Sequence, residues 1–264
     1  MKKLLYLIAV AGCLSMISCK NGESKSEGEA NPDTTAATAT AATAQAVQNA
    51  DTIKTDNGNI LIKPKGVIPN LEDGIYGDAL EHKLPTIWPK QSIYVNQKGT
   101  ELNILDIFTA IVEVYPIRQV LEGWYAIDQT SGHNSLGTFE YDEEKNYISG
   151  KWEDPDYGNN FALKAWEMMA ENKWMIGFVY NYLYDGDDGV GVYQNLMFWT
   201  YDAINEHILH PVDTTECLLP VYTPQRGIVV FKKDNDNLDF EDGADPSLFW
   251  KWNGYWFESS APME

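Results

Sequence analysis

Cysteine is scarce in this chain: three residues in 264, at positions 13, 19 and 217. Cys13 and Cys19 lie near the N-terminus, so the rest of the chain holds only Cys217 and cannot close an internal disulfide. No His or Lys adjoins Cys217 in sequence to lower its pKa, so a buried, inert thiol is expected there. Basic residues are also few, with 19 Lys and Arg against 39 Asp and Glu. That balance excludes nucleic acid and anionic lipid as electrostatic partners and favours cations or basic ones. No apolar run reaches the roughly 20 residues that a membrane-spanning helix needs. Gly-x-Ser-x-Gly, P-loop, Gly-x-Gly-x-x-Gly and His-Glu-x-x-His patterns are all missing, so no motif announces a catalytic centre and no cofactor is expected.

What is there begins with an address. Lys2 and Lys3 form a positive n-region and Leu4 to Leu14 an apolar h-region, the layout of an export signal. The stretch Met16-Ile17-Ser18-Cys19 that follows resembles the lipobox of bacterial lipoproteins. The resemblance covers about the first 20 residues. It implies cleavage before Cys19, diacylglycerol on the Cys19 thiol and acylation of the new amine. Several acyl chains, at about 0.8 kcal/mol per buried CH₂, hold a protein firmly to a membrane. On this reading residues 1–18 are a signal peptide. The mature chain is then lipid-anchored at the outer membrane, on its periplasmic face or at the cell surface. The simpler alternative is an ordinary signal peptide with a chance Cys near its cleavage site. Discarding Lys2 and Lys3 leaves 17 basic against 39 acidic residues, a mature net charge of −22. Glu23, Glu27 and Glu29, soon after Cys19, loosely resemble surface-export signals.

Residues 19–58 read as the lipidated Cys and a disordered tether. Asn, Gly, Glu, Ser and Lys are followed by a Thr/Ala run from Thr34 to Ala44, with little to bury against chain entropy. As a flexible coil this stretch spans roughly 35 Å, which lifts the domain off the membrane. Asp33-Thr34-Thr35 and Asp51-Thr52-Ile53 resemble the Asp-Thr acceptor of one bacterial envelope O-glycosylation system, making Thr34 and Thr52 candidates for sugar. Asp213-Thr214-Thr215 matches as well.

Residues 59–264 read as one mostly β domain. Ser92 to Asn96 predicts a short strand. Ile104, Leu105, Phe108, Ile111, Val112 and Tyr115 fall at helical spacing ahead of Pro116 and predict one helix. Strands are then expected at Gly123–Asp128, Ser135–Tyr141, Asn146–Trp152, Trp174–Tyr184 and Val190–Tyr201, the last two joined across Asp185–Gly189. Ile208–Val212 and Ile228–Phe231 read as a further pair. Near the C-terminus Asn253-Gly254 predicts a two-residue hairpin turn, with Trp252 facing Tyr255, Trp250 facing Phe257, and Lys251 forming a cation–π pair with Trp256. About eight strands with one short helix predict a mainly β fold, a single antiparallel β-barrel or β-sandwich. Weakly, Gly137–Trp152 and the last hairpin are similar to β-barrel domains of other small envelope lipoproteins. That likeness implies no functional residue.

The chemical candidates are thin. His207 and His210 tempt as a metal pair, but on a strand they point to opposite faces. Asp234, Asp236 and Asp239 lead an acidic stretch that could hold calcium. Leu238 and Phe240 break the usual loop spacing, so solvated turns are the simpler reading and no metal site is assigned. Nine Trp and 15 Tyr are a high count, and filling a core that lacks disulfides is the simpler reading for any one of them. Trp88, in a loop-like stretch, and Trp166 are the candidates for exposed glycan-stacking platforms. The function class expected is a non-catalytic envelope protein that binds a glycan or an envelope protein. The alternative is an envelope hydrolase or hydrolase inhibitor, whose paired carboxylates a sequence cannot reveal.

Overall fold

The computed structural model describes residues 51–54, 60–75, 91–127, 137–154, 157–186, 189–212, 227–241 and 249–259. Nine strands form one sheet: β1 (Asp51–Lys54), β2 (Ile60–Lys63), β3 (Gln91–Tyr94), β4 (Gly137–Asp142), β5 (Tyr147–Asp154), β6 (Tyr157–Glu167), β7 (Lys173–Gly186), β8 (Gly189–Asp202) and β9 (Ile208–Pro211). Their order is β1-β2-β3-β9-β8-β7-β6-β5-β4, and only β2 and β3 run parallel. A second sheet holds β10 (Ile228–Phe231), β11 (Leu238–Glu241), β12 (Phe249–Trp252) and β13 (Phe257–Ser259) in sequence order. The fold is mainly β and neither sheet closes into a barrel, which decides between the two expected architectures in favour of packed sheets.

Strict alternation on the long central strands gives the large sheet two buried faces. Phe161, Leu163, Ala165, Ile176, Phe178, Met197 and Trp199 point to a front face covered by helices. Ala162, Trp166, Met175, Val179 and Phe198 point to a back face covered by the small sheet through Val229, Phe231, Leu238 and Phe257. The result is three layers: helices, large sheet, small sheet. Gly177 makes the second contact close. A Cβ there would lie 2.7 Å from Trp166 and 2.9 Å from Phe198. The bare backbone lets the Trp166 ring meet Phe231 and Phe257 edge-on at 5.1 Å each.

The expected helix is α1 (Ile104–Val114), capped by Asn103, whose Oδ1 accepts from the backbone N–H of Leu105 and Asp106 at 3.0 and 3.1 Å. A second helix, α2 (Arg118–Ile127), replaces the expected strand at Gly123–Asp128. Ile117, Val120 and Leu121, spaced one helical turn apart, bury against the large sheet with Trp124 packed beside them.

Three further expectations are corrected. Ile208–Pro211 and Ile228–Phe231 do not pair, because β9 lies between β3 and β8 while β10 belongs to the other sheet. The last hairpin has a four-residue turn, so Trp252 pairs with Phe257 and Lys251 with Glu258. Asn253 builds that turn by accepting from the N–H of Tyr255 and Trp256, and Lys251 does not face Trp256. Finally, β1 falls inside the span 19–58 assigned to the tether and pairs with β2 beyond it, so the sheet starts earlier than composition suggests.

Candidate functional site

The small sheet leaves the β4–β6 end of the back face uncovered. The opening is a groove of about 880 Å³. Its floor comes from alternate residues of three strands: Thr138 and Glu140 on β4, Ser149 and Lys151 on β5, and Asn160 on β6. Its wall is β10 and the residues after it, including Val230, Lys232 and Asp234.

That wall is pinned from below. Lys164 sits at an inward position of β6 between Ala162 and Trp166, with its side chain only 3% exposed. Its ammonium donates to the backbone carbonyls of Lys232 at 2.8 Å, Lys233 at 3.5 Å and Asn235, and pairs with the Asp236 carboxylate at 3.2 Å. Burial lowers its pKa from the ordinary lysine value, and the Asp236 charge offsets part of that. Trp166 Nε1 donates to the Asp236 carbonyl at 3.1 Å. Tyr147 OH donates to the Phe231 carbonyl at 3.1 Å, and Asn181 Nδ2 to the Val229 carbonyl at 3.1 Å. Among the described residues strand β10 is the edge of its sheet, and these side chains occupy carbonyls that no described strand takes. Across the groove Lys233 meets Glu140 at 2.5 Å and Asp142 at 3.7 Å. The hydrogen bond and charge of Glu140 raise the Lys233 pKa, so that ammonium stays protonated.

No protein-family model matches the chain, and no curated protein or solved structure matches it either.

The sequence-derived candidates fare unevenly. Trp166 is no platform: it is 2% exposed in the core between the sheets. Alternation on β6 drives it inward, and its indole N–H has an internal partner. Asp236 and Asp239 are engaged by Lys164 and Lys232, both at 3.2 Å. Among the described residues no group of three or more His, Cys, Asp or Glu is placed to hold a metal ion, so Asp234, Asp236 and Asp239 do not form a ligand set. His210 pairs with Glu206 at 2.7 Å on the surface, while His207 is a turn residue with φ 52°. Thr52 lies on the edge strand β1, opposite Ile62. Cys19, Thr34, Trp88, Cys217 and the Asp213-Thr214-Thr215 motif lie outside the described residues. Lys164, Tyr147 and Asn160 were not singled out from sequence. The one available signal was a lysine inside the apolar run Phe161-Ala162-Leu163-Lys164-Ala165-Trp166, since an inward lysine needs an internal partner.

Proposed function

We propose that this chain is a lipid-anchored lipoprotein of the bacterial cell envelope. Its β domain acts as a non-catalytic binding module, and the groove between β4–β6 and β10 holds the ligand. The signal-like segment ending at Cys19 supports the anchor. The groove carries the binding reading: it is a polar concavity of about 880 Å³, beside a core otherwise filled on both faces of the large sheet. Its wall is held by Lys164 and its mouth is bridged by Glu140 and Lys233, so the shape is set before any ligand arrives. Lys233 is paired with Glu140 and Lys232 with Asp239, which suits recognition better than proton transfer. A glycan or a protein segment on the envelope is the ligand class.

A blocked groove tests this. Ser149→Trp fills the floor, and the mature protein should then lose its hits on an array of envelope glycans while keeping its far-ultraviolet circular dichroism and its melting temperature. Identical hits for the native and blocked proteins would contradict the reading. For the anchor, Cys19→Ser should abolish palmitate labelling and partition into detergent. Labelling that survives the substitution would remove it.

A further inference from the structure

Three turns meet at one end of the large sheet. Residues 168–172 join β6 to β7, residues 203–207 join β8 to β9, and residues 253–256 join β12 to β13 of the small sheet. Backbone hydrogen bonds tie the three together. The Met169 N–H donates to the Gly254 carbonyl at 2.9 Å, and the Ala203 N–H to the Asn172 carbonyl at 3.3 Å. Each turn holds one large apolar side chain in the open: Met169 is 67% exposed, Tyr255 57% and Ile204 42%. Val67, just past the end of β2, and Tyr141, one residue from the end of β4, add exposed apolar surface at the same end. Apolar tips gathered in this way mark a contact surface.

Strand register shows that the chain enters the sheet at this same end. Glu167 pairs with Trp174, Lys173 with Asp202, Tyr94 with Ile208 and Asp51 with Lys63, while β2 runs parallel to β3. These pairs lie in one row along the rim, so β1 begins where the three turns stand. Four strand spacings separate β1 from β8, roughly 19 Å. On the anchor reading the lipid is on Cys19, 32 positions before Asp51. A flexible coil of that length spans roughly 30 Å and has no stiffness to hold the domain away. The tether that could lift the domain also lets this rim return to the membrane.

The tips suit a lipid surface better than a protein. A specific protein interface buries about 800 Å² on each partner, far more than three side chains offer. A tether keeps the lipid surface at high effective concentration, so weak partition of a few side chains is enough. Tyr255 combines an apolar ring with a hydroxyl that stays wet, the pattern that places aromatic residues at headgroup level. Glu171, Asp202 and Glu206 stand in or beside the same turns. Asp202 accepts from the N–H of Ile204 and Asn205, and Glu206 pairs with His210. Their charge disfavours anionic lipid and leaves a zwitterionic surface as the match.

We infer that this rim docks on the zwitterionic phospholipid surface in which Cys19 is anchored, with Met169, Ile204 and Tyr255 entering the interface. The inference rests on the anchor reading and is independent of the groove. The test is magnetic resonance of the methionine methyl groups in the mature lipidated protein on phosphatidylcholine nanodiscs, with a water-soluble gadolinium chelate added. The reference is the mature chain carrying Cys19→Ser, which has no lipid and stays in solution. Met169 is the reporter, while Met175 and Met197, 2% and 0% exposed, report the fold. Broadening of the Met169 signal should be strong in solution. On the discs it should fall at least about threefold, as expected when about two-thirds or more of the population is docked. Ile204→Glu with Tyr255→Glu in the lipidated protein should restore the broadening and leave the Met175 and Met197 signals in place. A lipidated chain on the discs whose Met169 broadens as in solution would overturn the docking and leave the anchor standing. A mature chain that carries no lipid and stays off the discs would overturn both. Met169 already shielded in the Cys19→Ser chain would assign the tips to a second copy and overturn the inference. So would shielding on the discs that survives both glutamates.

Discussion

Lys164 is the residue on which the groove wall depends most. Its ammonium replaces water for the carbonyls of Lys232, Lys233 and Asn235, and those groups have no strand partner beyond it. Most of its worth lies in these carbonyls, because the Asp236 side chain is 71% exposed and its ion pair is screened. Lys164→Met keeps the packing and orphans the carbonyls. It should cost about 2–3 kcal/mol in denaturant unfolding. An unchanged midpoint would contradict the assigned role. Tyr115 presents the opposite case. Its hydroxyl is buried without a hydrogen-bond partner, and burial raises its pKa above the usual phenol value of 10. The folded chain therefore keeps a proton that the unfolded chain loses. The stability tied to Tyr115 is complete below pH 10 and falls as pH rises past it. Tyr115→Phe should leave stability at pH 7 equal or higher, and it should flatten the alkaline decline measured by chemical denaturation from pH 8 to 11. A decline as steep as in the native protein would count against this.

Among elements, the last hairpin shows how a strong local signal can mislead. Asn-Gly favours a two-residue turn, yet Asn253 instead accepts from the N–H of Tyr255 and Trp256 at 2.9 and 2.8 Å, and Gly254 adopts φ 91°. The longer loop moves the register by two residues, which keeps Phe257 on the face it shares with Trp250 and Trp252, and Phe257 packs in the core between the sheets against Trp166 and Trp252. Asn253→Ala removes both bonds and should cost about 1 kcal/mol. For a domain of this size that is a fall of roughly 2–4 °C in melting temperature. No fall would show that the turn is held by its flanking strands alone. Helix α2 is the mirror case. Gly123 and the aromatics around it read as strand, while the helical spacing of Ile117, Val120, Leu121 and Trp124 was there to be counted. Period-2 alternation was legible on β7 and β8, whose expected spans overlap the observed ones almost fully. Those strands are long enough for the pattern to dominate its ends. By contrast β11 hides inside an acidic stretch, because its outward residues Asp239 and Glu241 are half of its length.

For the whole molecule, three layers explain the aromatic surplus. Trp166, Trp199, Phe178, Phe198 and Phe257 fill two cores, one on each face of the large sheet. A sequence shows that a strand alternates but not that both of its faces are covered, so the helix layer and the small sheet could not both be read in advance. The groove was illegible for the same reason. Thr138, Ser149, Lys151 and Asn160 lie on three strands and meet only through register, and Lys164 reaches a wall some 70 positions away in sequence. What the pattern did carry was the mainly β class. The most direct test of ligand binding at the proposed groove is hydrogen–deuterium exchange of the protein with and without an envelope glycan taken from the array hits. The account predicts slowed exchange concentrated in β4, β5, β10 and residues 232–235. Protection centred on the helices or on the last hairpin, with the groove unchanged, would contradict it.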